Sequence, residues 1–491
     1  MSPSTSTHGG IAPSTFESLG VRTMINCGGT YTIISGSRML DVAVEAMAEA
    51  TNGYVRISEL MEKVGQRLAE LTGAEWGYIT TSCSAAINQI TAAAMAGGDP
   101  EKIARLPDTR GMKNEVIQER AIRSGYEQCM RIAGAEMVFV DTEADLRAAI
   151  NEHTALIFID GDAQARSRIT PQPMIEVANE FDVPCFVDAA AQRVEVPNRY
   201  LEMGADAVAY SGGKCLRGPQ ASGLVLGRKD LLRAAFLNAS PHNVQGRAMK
   251  VGKEEIMGLL AAVEAFLLGR DHEAEWEMWE GYLETIEQAV DDLPSVEIAY
   301  EQPGICNVTL YLHVTWDPDI LNGTPEEIRE ELLRGEPSIF VNATSEGLRF
   351  NPYMMEAGED TIVARRLREV MSDRPEPESV APPPPPSVDV SGEWVIDLEF
   401  VFGESAHSVQ LVQEGSALRG TYRSQYGRSE VEGRVEGDSI TFQVVLPYGP
   451  SRTCYDYEGT VTGDTTSGSV STGQEWPSKW RARRANGEFA K

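Results

Sequence analysis

The chain has 491 residues, enough for about three domains at roughly 150 residues each, and it carries 43 Lys plus Arg against 73 Asp plus Glu, a net charge of −30. So acidic a surface repels phosphate backbones, which excludes nucleic acid as a partner. The 42% hydrophobic and 24% charged fractions are those of a globular protein and exclude extended disorder. The first residues, MSPSTSTHGGIAPSTF, lack a basic and apolar leader, and no later run approaches a membrane span. The expectation is a protein without a membrane partner that works in the cytoplasm. Seven cysteines stand singly, with no C-x-x-C pair, and six histidines are equally dispersed; free thiols are expected and no metal site.

In chain order, Ser58 to Leu71 reads as an amphipathic helix with Ser58 as N-cap, an apolar face of Leu60, Met61, Val64, Leu68 and Leu71, and Gly73 as its stop. The strand-like Trp76 to Thr80 leads into Ser82-Cys83-Ser84-Ala85-Ala86, which opens an Ala-rich helix ending at Gly97-Gly98. Apolar runs follow at Met137–Val140, Ala155–Ile159, Cys185–Val187 and Ala207–Tyr210, with helical stretches between them. They lack polar alternation, as strands covered on both faces do, and predict a parallel-rich, doubly wound α/β domain. Residues 271–301 hold eleven acidic residues and no Lys or Arg, with Trp276, Trp279, Leu283, Ile286 and Val290 at helical spacing; they read as a helix with one buried stripe and a solvated acidic face. Five consecutive prolines, Pro382 to Pro386, mark a linker. Beyond it, short alternating runs at Trp394–Leu398, Val409–Val412, Leu418–Tyr422 and Ile440–Val445, separated by turns at Gly415, Gly437 and Gly463, predict an antiparallel meander that forms a small barrel or sandwich.

The chemistry concentrates in Phe186-Val187-Asp188-Ala189-Ala190-Ala191-Gln192 and in Ser211-Gly212-Gly213-Lys214-Cys215-Leu216-Arg217-Gly218. Asp188 ends one buried strand and Lys214 stands just past the end of the next, and in doubly wound sheets those ends converge on the ligand crevice. A partly desolvated lysine is the residue type that forms a Schiff base, and an Asp facing a pyridine nitrogen keeps that ring an electron sink. The N-terminus of the helix opened by Ser82 to Ala86 suits a phosphate dianion, and Ser211 adds a hydroxyl. Each signal alone also fits a cap, a strand end or an exposed turn; their order along the chain carries the reading. The nucleotide motifs fail: Val208 stands where a P-loop places its first Gly, and no G-x-G-x-x-G opens a helix.

These segments, together with Asn26-Cys27-Gly28-Gly29-Thr30-Tyr31-Thr32, Gly134-Ala135-Glu136, Gly246-Arg247-Ala248-Met249-Lys250 and Asn351-Pro352-Tyr353, resemble the fold type I pyridoxal-phosphate enzymes, in the selenocysteine-synthase-like branch that includes D-glucosaminate-6-phosphate ammonia-lyase. The resemblance spans roughly residues 15 to 372. It implies a fold type I transferase with a small α+β domain, bound pyridoxal 5'-phosphate, and a homodimer or higher homo-oligomer. It assigns the cofactor link to Lys214, the ring nitrogen's partner to Asp188, the ring face to Ala190, and the phosphate's surroundings to Ser82, Ser84, Ala85 and Ser211. Arg247 matches the G-R-x-M-K segment and would reach the phosphate or the substrate carboxylate, in its own or the neighbouring subunit. Arg349, in the small domain, is a candidate for that carboxylate as well. The implied division is an N-terminal arm with part of the small domain (1–50), a large cofactor domain (51–265), the rest of the small domain (266–373), the linker (374–391) and the β domain (392–485). One departure stands out: Ile122 occupies the place where relatives present a His before the Arg, so a stacking ring is missing.

Three functions remain open. The first is elimination of a β-group with ammonia release from an amino acid or amino sugar acid, with Lys214 removing the Cα proton. The second is racemisation, epimerisation or aldol cleavage through the same carbanion. The third is a non-catalytic scaffold with an idle cofactor site. The fold cannot choose among them.

Overall fold

The computed structural model describes residues 14–306, 308–372, 374, 382–473 and 476–485. The chain divides into two compact units, residues 1–376 and 377–491.

The first unit is built on a seven-stranded sheet. From one edge to the other its strands are Trp76–Thr80, Gly223–Gly227, Ala207–Ser211, Cys185–Asp188, Thr154–Asp160, Glu115–Glu119 and Glu136–Val140. The five from Ala207–Ser211 onward are parallel, and Gly223–Gly227 runs antiparallel to both its neighbours. Thr154–Asp160 and Cys185–Asp188 are buried at every position, because helices cover both faces and leave no polar side for alternation to record. The helix expected from residue 58 runs Ile57–Thr72 and ends at Gly73 with φ 73°. Its N-cap position is Arg56, without a side-chain bond, so Ser58 falls in the first turn instead of capping it.

The smaller part of this unit carries a four-stranded antiparallel sheet ordered Asn342–Ala343, Gly347–Phe350, Tyr311–Thr315 and Glu297–Glu301. The N-terminal Met24–Asn26 pairs in parallel with Ser338–Phe340, which ties the arm to this region across more than three hundred residues of chain. The acidic segment forms a helix only over His272–Glu287, and Glu297–Glu301 is a strand. Buried Trp279, Leu283 and Ile286 form the apolar stripe, and the charge on the remaining face does not extend the helix past Glu287.

The second unit is a closed barrel of eight consecutive antiparallel strands, from Gly392–Glu399 to Ser478–Arg484, with first and last paired. Closure selects barrel over sandwich. Glycines 415, 437 and 463 have φ of 63°, 58° and 61°, the left-handed backbone that two-residue hairpin turns demand. Prolines 382–386, expected in the linker, belong to this unit: the Gly437 N–H donates to Pro384 O at 3.1 Å and the Ser387 N–H to Gly437 O at 2.8 Å. A proline cannot donate but its carbonyl accepts, so the extended segment is held through its oxygens. No helix among the described residues is long and apolar enough to cross a membrane.

Candidate active site

The site begins with register. Strand Cys185–Asp188 delivers Asp188 to the same sheet edge as Asp160, its direct partner on the neighbouring strand. Asp160-Gly161-Asp162 then turns back so that Asp162 Oδ2 accepts from the Ala191 N–H at 2.8 Å and lies 4.0 Å from Lys214 Nζ. Lys214 follows the strand Ala207–Ser211 in a turn where its N–H donates to Ser211 O at 3.4 Å. Parallel neighbours ending together thus bring three carboxylates and one amine to one edge. Asp160 and Asp162 carry the same strand-end signal that pointed to Asp188, yet only the turn at Gly161 aims Asp162 at the lysine.

Asp188 is buried, and its Oδ1 has no hydrogen-bond partner among the described residues. Burial, reinforced by Asp162 and Asp160 and opposed by Lys214, pushes its carboxyl up to about 8. Asp162 is also raised by burial, against the pull of Lys214. An isolated buried carboxylate is costly until a positive donor meets it. Asp188 is therefore built for a cationic N–H that the chain does not itself supply.

The helix Cys83–Ala96 starts beside this group. Ser82 is its N-cap, with Oγ accepting from the Ala85 N–H at 3.0 Å. That bond satisfies the Ala85 N–H; the first-turn N–H groups before it are ones that a helix leaves without an intrahelical partner. Ser84 bonds towards the Cys129 thiol, and the buried Cys83 thiol bonds with Asp188, which raises it further above the range burial alone would set. Gly223 lies between Thr80 and Ser211 in the sheet register. A Cβ there would stand 2.7 Å from Ser82 C, so only glycine lets the helix start close on the strand ends and gather Ser82 and Ser211. Ala190 is buried, its carbonyl accepting from the Ser211 N–H at 3.1 Å.

A cavity of about 130 Å³ opens over Lys214, walled by Gly28, Tyr31, Ala191, Cys306, Tyr311 and Asn351 among others. The Asn-Cys-Gly-Gly-Thr motif builds one wall: Asn26 Oδ1 accepts from the Gly28 and Gly29 N–H groups at 2.9 and 3.1 Å. Arg349 stacks its guanidinium 4.5 Å from the centre of the Tyr311 ring, and its Nε has no partner among the described residues. It thus stands one side chain behind the cavity wall. Arg247 is exposed and donates to Ser240 Oγ at 3.2 Å; it does not line this cavity. Ile122, which by sequence stands where a stacking ring is missing, is a buried apolar residue, 1% exposed. Residue reasoning missed Asp162, Cys306 and Tyr311, which enter only through chain reversals. Among the described residues no three His, Cys, Asp or Glu side chains are placed so that they could hold one metal ion.

These residues fit pyridoxal phosphate: an orphaned buried carboxyl for a ring N–H, a lysine at the mouth, a helix N-terminus for a dianion, and a small alanine for a ring face. Comparison with known proteins agrees. Residues 18–267 match the Cys/Met metabolism PLP-dependent enzyme family. The chain is 30% identical over 374 residues to the D-glucosaminate-6-phosphate ammonia lyase of Salmonella typhimurium, covering 73% of this chain and 98% of that enzyme. It is 27% identical over 374 residues to a 5'-C-glycyluridine monooxygenase-decarboxylase of a Streptomyces species, covering 73% and 92%. It is 26% identical over 246 residues to the L-seryl-tRNA(Sec) selenium transferase of Yersinia enterocolitica, covering 43% and 50%. A solved D-glucosaminate-6-phosphate ammonia-lyase structure matches with a TM-score of 0.65 at 29% identity, covering 74% of this chain and 99% of that one.

Proposed function

We propose that this chain, which belongs to the fold type I pyridoxal-phosphate-dependent enzymes, is an ammonia-lyase that eliminates a β-hydroxyl from an amino acid or amino sugar acid. The observation that carries the reading is the Lys214–Asp162–Asp188 edge, set in a chain that aligns with nearly the whole of an ammonia lyase. Bound pyridoxal phosphate supplies an electron sink that acidifies the substrate Cα–H.

The chain's own residues do the rest. Lys214 holds the cofactor and then, freed by the incoming amine, takes the proton from Cα. Asp162, 4.0 Å from Nζ, orients the amine, and Lys214 then carries that proton to the departing β-oxygen. Asp188 would ionise against a ring N–H, whose charge would offset the burial that otherwise keeps the carboxyl protonated. Ser82, Ser84, Ala85 and Ser211 would hold the phosphate, and Ala190 would lie against the ring. Arg349, behind Tyr311, turns to the substrate carboxylate; Arg247 serves a partner from its exposed loop. Ile122 offers no titratable group, so a racemase would need its second acid–base residue from Tyr31, Cys306 or Tyr311 of the cavity wall.

The reading includes a homodimer in the cytoplasm. Ile33, Val42, Val44, Tyr54 and Val55 are exposed apolar side chains within one short stretch of chain, as a surface covered by a second copy would be. The seven cysteines are all free, in keeping with a reducing compartment.

Incubating the holoenzyme in deuterated water with D-glucosaminate 6-phosphate and a panel of D- and L-β-hydroxy amino acids tests it. Ammonia together with a 2-oxo product is expected from at least one. Cα exchange with inversion of configuration and no ammonia would replace the lyase by a racemase.

A further inference from the structure

The barrel contains a second cavity, of about 570 Å³, within the range of roughly 300–1,000 Å³ typical of small-molecule sites. Eight strands make a lumen that side chains can fill or that can hold one small ligand. Here one end is filled and the other is not. At the filled end the connections are two-residue turns, and the segment entering the barrel seals them: Val390 is fully buried and its carbonyl accepts from Trp394 Nε1 at 2.9 Å, while Gln413 Nε2 donates to Val388 O at 3.1 Å. The middle is packed, with Phe442 and Tyr457 stacked at 4.4 Å and Trp480 edge-on to both.

At the opposite end the connections 400–403 and 424–427 are longer, and the large side chains turn outward: Phe402 is 98% and Tyr426 77% exposed. The cavity lies there, with Phe400, Leu446, Tyr448 and Tyr455 as apolar walls and Ser405 and His407 as its inner polar side. His407 Nε2 bonds Ser405 Oγ at 2.8 Å, His407 Nδ1 bonds Tyr422 Oη, and Tyr422 Oη bonds Tyr457 Oη at 2.5 Å. Burial holds His407 below its usual value, hence neutral. The chain of bonds fixes the imidazole, and the Ser405 hydroxyl keeps capacity beyond its one bond. Glu404 is the sole charged residue among the described lining residues, so nothing there attracts an anion.

We propose that this open end of the barrel binds a small uncharged amphiphile, its ring body against Phe400, Leu446, Tyr448 and Tyr455 and its single hydroxyl or carbonyl on Ser405 and His407. The site is independent of the cofactor chemistry.

Calorimetric titration of the full-length holoenzyme with 2-naphthol, and separately with 2-naphthoate, tests this. One saturable 2-naphthol site per chain is expected, with naphthoate at least tenfold weaker. Two substitutions should close the cavity. Gly427→Trp starts from a position where a Cβ meets only Leu446 Cδ2, at 3.6 Å, and Thr453→Trp starts from an exposed lining residue. Each should weaken 2-naphthol at least tenfold with the near-ultraviolet circular dichroism of a folded barrel, while Lys214→Ala binds as the parent does. Absence of saturable binding, equal affinity for naphthoate, or parental affinity in whichever closing variant folds would overturn the proposal.

Discussion

Both units bury polar groups near strand ends, and they treat them in opposite ways. In the α/β unit, Asp188 Oδ1 and Asp162 Oδ1 are buried without partners among the described residues. In the barrel, Ser405, His407, Tyr422 and Tyr457 satisfy one another in sequence. An unsatisfied buried carboxyl stores a free-energy cost that a cofactor can relieve, and it places that cofactor's charge. A satisfied neutral network stores none; it gives shape and a hydrogen-bonding end. The first arrangement suits bond-making and the second suits binding.

The sharpest way to break the contrast is at Lys214. Lys214→Ala should remove the visible absorption of the lysine-bound cofactor and lower ammonia release by roughly 10³-fold or more, with an unchanged far-ultraviolet spectrum. Normal turnover would end the catalytic reading. Asp188→Asn should keep the cofactor and lose roughly 10²–10³ in kcat, the scale of one electrostatic contact to the reacting system.

The same carboxyl should mark stability in protein stripped of cofactor. Burial raises it from 3.8 to about 8, so between those values the folded chain keeps a proton that the unfolded chain has released. Its contribution is fully present below about pH 4 and is lost as pH rises through 8. Thermal scans from pH 5 to 9 should therefore show the stripped parent declining and Asp188→Asn declining less, by on the order of 2–4 °C at the alkaline end. Parallel curves would mean that Asp188 does not stay protonated.

Smaller effects probe the edges of each site. Arg349→Ala should raise KM about tenfold, the loss of a charge-assisted contact worth roughly 1.5 kcal/mol, with kcat changed less; an unchanged KM would leave Arg349 as a partner of Tyr311 alone. In the barrel, Tyr422→Phe should cost about 1–3 kcal/mol, since it strands His407 and Tyr457 at once, and calorimetry of the barrel transition reads it directly. Smallest of all, a chain ended at Glu376 should keep kcat/KM within about twofold, because every residue placed in the chemistry lies before that point; a large fall with cofactor still bound would make the barrel part of the catalytic site.

Much of this was legible in the residues. Strand Cys185–Asp188 and its terminal acid, the Gly-Gly-Lys turn, the Ser82 cap and the barrel's glycine turns all follow from signals that act within a few positions: continuous burial, period-two alternation, capping and positive φ. What those signals could not reach is pairing at a distance. Asp162 meets Lys214 across fifty residues because two parallel strands end level and Gly161 permits the turn. Arg349 reaches the cavity only through Tyr311, while Arg247, promising by its motif, lies exposed. The sequence by itself determined a doubly wound domain, a β domain after the prolines, and an acid and an amine at neighbouring strand ends. Tertiary structure alone decided that the meander closes, that the proline segment packs on one end of the barrel and leaves the other open, and that Asp162 and Asp188 both act on one lysine. Local propensity is set by neighbours in the chain, whereas closure and charge clustering are set by which distant strands lie side by side.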